Sequence, residues 1–242
     1  MKTLYIRQPS GLGDILFLQK IAKNFISLGF NVKWPVIKPY EYIHEYIKTD
    51  GIQFLSFDSL NDKEKELYKE NMAIQSEEFI YIPFDRSCQL TGDYKNVMLS
   101  KYKLVNMDHS DWQKSVNLVR NFTREQECVD KLNKDNKPYV YVNRIFASPP
   151  EMIMCNFSIN TELNIIENSQ DTINNFRIFD LLSVFENASE IHTVNTSLCY
   201  LIEILTTTEK LFMYQRKINN SNQYSTFDYV DGVFDKKWNY ME

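Results

Sequence analysis

Glycine is scarce in this sequence of 242 residues. There are six glycines, whereas an average usage of ~7% would give about 17. Two of them, Gly11 and Gly13, lie two residues apart near the start of the chain. The sequence also lacks a run of ~18 apolar residues, the length needed to cross a membrane. Its first residues lack the apolar stretch and cleavage site of a signal peptide, so we expect a cytoplasmic protein without a membrane span.

Cysteine and histidine are sparse as well, with four and three residues and no C-x-x-C pair. The four cysteines are widely spaced, at Cys88, Cys128, Cys155 and Cys199. This pattern favours reduced thiols over a disulfide framework or a structural zinc site. A net charge of −5 argues against a protein that binds nucleic acid through bulk positive charge. The 14% of aromatic residues supply ample core material and exclude a largely disordered chain.

Strand and helix patterns alternate along both halves of the chain. In the first half we predict strands at 2–7, 31–37, 52–57 and 78–84, with helices at 14–28, 40–48 and 61–71. Because Pro35 cannot donate a ladder hydrogen bond, the second strand should end early or lie at a sheet edge. Helices are predicted at 110–121 and 123–134. In the second half we predict strands at 139–143, 152–159, 190–194 and 210–214, with helices at 174–187, 196–205 and 235–242.

This alternation is typical of parallel sheets covered by helices on both faces. A polar, turn-forming stretch at 133–137 separates the two series and is the best candidate for a hinge. We therefore predict an α/β protein with two Rossmann-like domains, at 1–136 and 137–242, facing a cleft.

The glycine pair lies in a segment, IRQPSGLGDIL at 6–16, whose pattern is strand, turn and helix. Glycine lets the backbone turn tightly and approach a ligand, and the N–H groups of a helix start favour negative charge. The segment is not a dinucleotide fingerprint, because Leu16 replaces the third glycine, and it is not a Walker A loop, because no G-K-[ST] follows. Two interpretations stay open: Asp14 stabilises the first helical turn, or it faces the cleft as a working carboxylate.

The sequence SGLGDIL followed by an amphipathic helix resembles the N-terminal motif of heptosyltransferase-like glycosyltransferases of family 9. The resemblance implies a compact version of the GT-B-type fold. It also implies inverting, metal-independent transfer of a sugar from a nucleotide-activated donor to a glycan or other hydroxyl acceptor, as in glycan biosynthesis. Residues 1–136 would be the acceptor side and 137–242 the nucleotide-sugar side. Asp14 would be the general base, and the backbone of Gly11 and Gly13 would line the donor phosphates or the acceptor.

A second segment, EIHTVNTSL at 190–198, reads as strand, polar turn and helix. It resembles the family's C-terminal motif, in which the donor diphosphate sits on a helix N-terminus. Asn195 or Thr196 is suited to the N-cap position, and the resemblance implies that Asn195, Thr196 and Ser197 hold the diphosphate without a metal. The usual glycine is missing, since Leu198 follows Ser197. An ordinary capped helix is the alternative.

Further candidates surround this second motif. Arg144 directly follows the strand YVYVN, where the family places a basic residue near donor phosphate; a surface ion pair is the alternative. Arg216 follows the strand at 210–214 and is a weaker candidate for the same role. His192 is a candidate ligand contact, although its place within a strand favours a buried, hydrogen-bonded histidine. No D-x-D occurs at a strand end, so we expect neither a metal nor another cofactor.

Two other functions stay open beside the glycosyltransferase. The first is a catalytically silent module that binds a nucleotide or a glycan on the same fold. The second is another α/β enzyme that handles sugar nucleotides, although the sequence carries no cofactor fingerprint or nucleophile constellation. In each case the expected partners are a nucleotide-sugar and a glycan or hydroxyl compound, with no nucleic acid.

Overall fold

The computed structural model describes residues 2–148, 151–216 and 227–241. The chain divides into two compact units. The first unit comprises Met1–Val119 and Tyr229–Val233, and the second comprises Arg120–Asp228 and Phe234–Glu242. Residues 120–136, which the sequence analysis grouped with the N-terminal domain, thus fall in the second unit. Among the described residues, no helix has the length and apolar character needed to cross a membrane.

The first unit contains a mainly parallel sheet. Its strands are β1 (Lys2–Arg7), β2 (Phe30–Val36), β3 (Ile52–Ser56), β4 (Ile74–Gln75) and β5 (Phe79–Pro83). Their order in the sheet is β3-β2-β1-β5-β4, and the short strand β4 runs antiparallel to β5. The central strand β1 carries the fully buried residues Leu4 and Ile6 on one face of the sheet, while Thr3 and Tyr5 on the other face are partly buried.

The structure corrects the expectation for Pro35. Strand β2 pairs with both β1 and β3, so it is not an edge strand. Its pairing with β1 covers only Phe30–Lys33, and Pro35 lies beyond that stretch, opposite Leu55 of β3. Because β2 no longer pairs with β1 at Pro35, no hydrogen bond to β1 is needed from this residue, which has no N–H group. The strand can therefore continue through the proline.

The helices of the first unit are short. They are α1 (Leu12–Phe17), α2 (Gln19–Ser27), α3 (Ile43–Tyr46), α4 (Asp62–Leu67), α5 (Ser87–Thr91) and α6 (Leu99–Leu104). The predicted helix at 14–28 is two helices that meet at Leu18. The predicted helix at 110–121 is wrong, because only a 3₁₀ turn, Trp112–Ser115, forms there. Asp111 adopts a left-handed conformation before that turn and Val116 is extended after it, so an α-helix cannot propagate in either direction.

The second unit contains a parallel sheet and a separate hairpin. The sheet strands are β6 (Tyr139–Asn143), β9 (Asn164–Glu167), β10 (Glu190–Val194), β11 (Leu211–Tyr214) and β12 (Trp238–Met241); the hairpin strands are β7 (Ile145–Ser148) and β8 (Glu151–Met154). The sheet order is β12-β11-β10-β6-β9. The predicted terminal helix at 235–242 is wrong, since that segment forms β12, parallel to β11.

The helices of the second unit are α7 (Phe122–Leu132), α8 (Gln170–Asn175), α9 (Leu182–Asn187) and α10 (Ser197–Ile204). The predicted single helix at 174–187 is wrong. Phe176 and Arg177 are extended, and Asp180 accepts a hydrogen bond from the Arg177 N–H at 2.9 Å, which starts a new 3₁₀ turn. Local side-chain to backbone bonding of this kind competes with a continuous helix.

Each sheet has one point where the direction of strand addition reverses. In the first unit the chain builds β2 and β3 on one side of β1 and then β5 on the other side. In the second unit it builds β9 on one side of β6 and then β10 on the other. Open α/β sheets bind ligands outside the carboxyl ends of the strands at such reversals. The topology therefore marks two edges, one after β1 and β5 and one after β6 and β10.

Candidate functional sites

The glycine turn after β1 is built around the Asp14 carboxylate. Gly11 has a φ of +83°, in the region that disfavours residues with a side chain. A Cβ at Gly11 would lie 2.3 Å from Asp14 Oδ2, far inside an ordinary contact distance. Gly13 is buried within α1. Gly11 therefore makes room for the carboxylate, whereas Gly13 lets the first turn of the helix pack into the unit.

Asp14 forms an ion pair with a buried lysine that the sequence analysis missed. Lys101 Nζ lies 3.0 Å from Asp14 Oδ1, and the lysine side chain is only 3% exposed while that of Asp14 is 28% exposed. The same ammonium donates to Gln8 Oε1 at 2.9 Å and to the Phe84 carbonyl at 3.1 Å. Gln8 follows β1 and Phe84 follows β5, so the ammonium lies at the first reversal point. At this edge the partly exposed Asp14 carboxylate is therefore held by an ion pair with the buried Lys101 ammonium.

A second acid–base pair lies at the same ends of β1 and β5. Arg7 Nε lies 2.7 Å from Asp85 Oδ1, and the remaining guanidinium nitrogens donate to the Tyr68 and Glu70 carbonyls and to Asn71. The arginine is buried and ties the end of β1 to the segment before β5. Because the guanidinium is buried and all three of its nitrogens donate to acceptors of this unit, we regard this pair as structural.

The sequence offered one signal for Lys101. It lies three residues after Met98 and next to Tyr102, both of which are buried. A lysine at an apolar helical position needs a buried partner, since charged side chains are seldom buried unpaired. The sequence pattern predicts no helix between residues 85 and 109, so Lys101 does not stand out as a helical position.

The second edge is built on the N-terminus of α10, directly after β10. Thr196 is the N-cap, and its hydroxyl accepts a hydrogen bond from the Leu198 N–H at 3.3 Å. Asn195 is buried, and its N–H donates to the Tyr214 carbonyl at 3.1 Å. Ser197 is partly exposed at the first helical position. The three predicted phosphate contacts thus occupy consecutive positions at the second reversal point.

Both candidate arginines lie at this edge of the second sheet. Arg144 follows β6 and Arg216 follows β11, the two neighbours of β10. Arg216 Nε donates to the Asn195 carbonyl, so it is joined directly to the turn after β10. Its guanidinium also lies over the Phe146 ring, 5.1 Å from the centroid. Arg216 therefore supports the turn that the sequence analysis assigned to phosphate binding.

Arg144 is held by its own neighbours. Its Nε lies 3.0 Å from Glu167 Oε1, its Nη1 donates to the Phe157 carbonyl, and its guanidinium stacks 4.2 Å above the Phe157 ring. The Phe157 ring stacks in turn on Tyr214 at 3.6 Å. The ion pair that the sequence analysis kept as the alternative for Arg144 is thus present, with a half-exposed carboxylate as the partner.

His192 lies inside β10 and has protein partners on both ring nitrogens. Nδ1 is 3.0 Å from the Tyr214 hydroxyl and Nε2 is 3.4 Å from Glu190 Oε2. The ring stacks on Phe212 at 4.3 Å. Burial lowers the pKa of His192, and the nearby Glu190 carboxylate only partly offsets this effect. The contacts given by the strand therefore account for the histidine without a ligand.

A buried amide network underlies the second edge and was also missed from the sequence. Asn143, the last residue of β6, donates to Thr193 Oγ1 at 3.1 Å and accepts a hydrogen bond from Asn168 at 3.0 Å. Thr193 belongs to β10, and Asn168 directly follows β9; both strands are neighbours of β6. The network fixes the ends of three adjacent strands, which places Arg144 and Asn195 at defined positions. Among the described residues, no group of three or more His, Cys, Asp or Glu side chains could hold a metal ion.

The architecture and its two edges define the class of protein: an α/β protein with a reversal point in each of two parallel sheets. Its structure resembles that of the glycosyl transferase family 9 from Veillonella parvula, with a TM-score of 0.50, 8% sequence identity, and coverage of 88% of this chain and 80% of that chain. This likeness confirms, at the level of the fold, the resemblance to family 9 that the sequence motifs carry. No family model matches the sequence, and no match is found among curated proteins.

Two structures of a bacterial dodecameric, iron-containing glycosyltransferase, TibC from enterotoxigenic E. coli, are more distant. The first gives a TM-score of 0.48 at 13% identity, and the second, a complex with ADP-D-beta-D-heptose, gives 0.49 at 10% identity. The chain matches over 93% of its own length and spans 61% of each TibC chain. Because both scores are below 0.5, the fold assignment depends on the Veillonella protein.

Proposed function

We propose that this protein is a glycosyltransferase that moves a sugar from a nucleotide-activated donor to a hydroxyl of a glycan or related acceptor. The observation that carries the proposal is the Asp14 carboxylate: it is partly exposed, at a sheet reversal point, in a fold shared with a family 9 glycosyltransferase. The reaction is inverting and needs no metal in this proposal. The first unit serves the acceptor and the second unit serves the donor.

Asp14 acts as the general base in this scheme. Its Oδ1 pairs with Lys101, and we assign the other oxygen, Oδ2, to the acceptor. Oδ2 takes the hydroxyl proton as the acceptor oxygen forms a bond to the anomeric carbon. The bond from that carbon to the donor phosphate breaks, and its electron pair leaves with the nucleoside diphosphate. A base that lies within hydrogen-bond reach of the attacking hydroxyl contributes typically 10²–10⁴-fold in rate.

The donor diphosphate binds at the N-terminus of α10. The positive end of the helix favours an anion there, and the hydroxyls of Thr196 and Ser197 offer hydrogen bonds to phosphate oxygens. Arg144 and Arg216 supply positive charge from the strands on either side. These groups can balance the diphosphate charge as it leaves, which is the role a metal has in other sugar transferases.

The donor half of the proposal is tested by binding. Thermal shifts are measured with UDP-, GDP-, ADP- and CMP-sugars, with and without a chelator. A ligand at 100 times its Kd adds about 2.7 kcal/mol to the free energy of unfolding, so the donor with the correct nucleobase should give the largest shift. Arg144→Ala should weaken that binding by ~1.5–3 kcal/mol, the range for a charged hydrogen bond.

Arg124→Ala is the matched control for Arg144→Ala. Arg124 also stacks on a phenylalanine, at 4.9 Å from the Phe176 centroid, and also pairs with a glutamate, Glu127, but it lies on α7. It should leave nucleotide affinity unchanged. Equal affinity in both variants, or loss of binding with the chelator, contradicts the donor assignment.

The catalytic half is tested with Asp14→Asn, which keeps the shape and removes the base. Release of the nucleoside diphosphate from the best donor should fall 10²–10⁴-fold while donor affinity stays the same. Glu64→Gln is the control, because Glu64 also pairs with a lysine, Lys33, at 2.6 Å in the same unit. The anomeric configuration of the product, compared with that of the donor, tests inversion. Normal turnover by Asp14→Asn would leave Asp14 without a catalytic role.

A silent binding module is the second candidate. The observation that favours it is that Asp14 and Arg144 each have a protein partner of opposite charge, Lys101 and Glu167. This alternative predicts a thermal shift with a nucleotide-sugar, no release of the nucleoside diphosphate with any acceptor, and no effect of Asp14→Asn on binding.

A further inference from the structure

The buried Lys101 ammonium is the most unusual charge in the first unit. Its side chain is 3% exposed, and lysine is almost never buried without partners. An ammonium has three N–H donors, and three acceptors surround this one: Asp14 Oδ1, Gln8 Oε1 and the Phe84 carbonyl. All three donors therefore have an acceptor in a fixed place, and the ammonium cannot rotate freely as a surface lysine does.

The acceptors around Lys101 are not equivalent. Gln8 and the Phe84 carbonyl are neutral and buried, and only Asp14 is charged and partly exposed. The two neutral contacts hold Nζ between the ends of β1 and β5, and the third direction points at one carboxylate oxygen. The positive charge is thus presented to Asp14 from the protein side, which leaves Oδ2 on the side of Gly11.

Gln8 is itself held in place. Its side-chain N–H donates to the Ser10 carbonyl at 2.7 Å, and its main-chain carbonyl accepts a hydrogen bond from the Trp34 indole at 3.0 Å. Trp34 is fully buried in β2. The support for Lys101 therefore extends into the core of the sheet, and supporting groups with locked conformations give a functional side chain its precision.

We propose that Lys101 is the positioning residue of the general base: through its ion pair it fixes the Asp14 carboxylate with Oδ2 turned toward the acceptor hydroxyl. This inference rests on the proposed function. It adds a residue from a different segment, α6, to the acceptor site, and it gives the buried lysine a role in turnover as well as in the fold.

The test is a double-mutant cycle on turnover. Lys101→Met removes the ammonium and keeps the side-chain stem. Displacement of a reacting group by about 1 Å can cost 10²-fold, so we expect kcat for nucleoside diphosphate release to fall about 10²-fold with the donor KM unchanged. The double variant Asp14→Asn/Lys101→Met should be as slow as Asp14→Asn alone, because Lys101 acts through Asp14.

A merely structural lysine gives a different result. The two losses in kcat would then multiply in the double variant, which would overturn the inference. Lys33→Met is the control, since Lys33 also pairs with a carboxylate in this unit, that of Glu64, and should keep a normal kcat. Lys101→Gln, which keeps a donor without the charge, serves if Lys101→Met does not fold. If both Lys101 variants unfold while Asp14→Asn folds, the role of Lys101 does not pass through Asp14 and the inference is wrong.

The same measurements separate failure of the inference from failure of the proposed function. Wild-type turnover by Asp14→Asn refutes the base itself. A slow Asp14→Asn beside a folded, fully active Lys101→Met refutes only the positioning role.

Discussion

Replacing Gly11 with alanine tests how closely the turn is fitted to the Asp14 carboxylate. The added Cβ would lie 2.3 Å from Oδ2 and 3.1 Å from Cγ of Asp14. Ordinary contacts begin at 3.4 Å, so the oxygen has to move by roughly 1 Å. Because Lys101 holds the other oxygen, this movement either turns the carboxylate or breaks the ion pair.

Two separate costs follow from this substitution. The φ of +83° costs an L-residue roughly 1–2 kcal/mol, whatever its neighbours. A loss of 1 kcal/mol lowers the melting temperature of a chain of this size by about 2–4 °C. The displaced carboxylate adds little to that loss, since its far end is partly exposed. Its effect should be on turnover, which we expect to fall about 10²-fold.

Gly29→Ala separates the two costs. Gly29 has a φ of +88°, and within the described part of the chain no neighbouring atom lies within 4 Å of an added Cβ, so the substitution there carries the backbone cost alone. The assay measures the melting temperature and nucleoside diphosphate release for both variants. We expect similar melting temperatures and a loss of turnover only in Gly11→Ala. Equal turnover in the two variants would show that the position of Asp14 does not matter, and the reasoning would fail.

Two further predictions concern buried titratable groups of the second unit. Burial raises the pKa of Glu203, whose carboxylate accepts hydrogen bonds from the Asp235 and Lys236 N–H groups and from the Trp238 indole. Glu203→Gln should lower the free energy of unfolding by about 1–3 kcal/mol, measured by urea unfolding followed by tryptophan fluorescence. The emission of Trp238 should also shift to the red in this variant. Burial lowers the pKa of His192 below 6.5, so as the pH falls through 6.5 the unfolded chain binds a proton at this residue before the folded chain does. The free energy of unfolding should therefore decrease on acidification below pH 6.5. In His192→Phe the urea midpoint should not show this pH-dependent decrease.

The central sheet strands were predictable because each carries several buried apolar residues. Strands 2–7, 139–143 and 190–194 were predicted with the bounds that the structure has, and all are central. Strand β12 was not, because three of its four residues are exposed and its order comes from pairing with β11. An edge strand with little apolar pattern depends on a tertiary partner that the sequence does not reveal.

The candidate sites were predictable only where a turn motif marks them. Gly11 and Asp14 stand out by spacing, and Thr196 stands out as a helix cap, whereas Lys101 has no motif at all. It reaches Asp14 because α6 packs near the ends of β1 and β5, and the two residues are 87 positions apart in the sequence. The electrostatic partner of Asp14 can therefore be identified only from the structure and not from the sequence.

The first unit is completed by a segment that arrives late in the chain. The Trp112 indole donates to the Val233 carbonyl at 2.8 Å, His109 Nε2 lies 2.9 Å from the Gly232 carbonyl oxygen, and the Met98 N–H donates to the Tyr229 carbonyl at 3.4 Å. On the ribosome these three groups are made about 120–130 residues before their acceptors, which at 5–20 residues per second is a delay of roughly 6–26 s. The N-terminal half therefore leaves the exit tunnel with these hydrogen bonds unmade, and they form only after residues 229–233 have been synthesised and have left the tunnel.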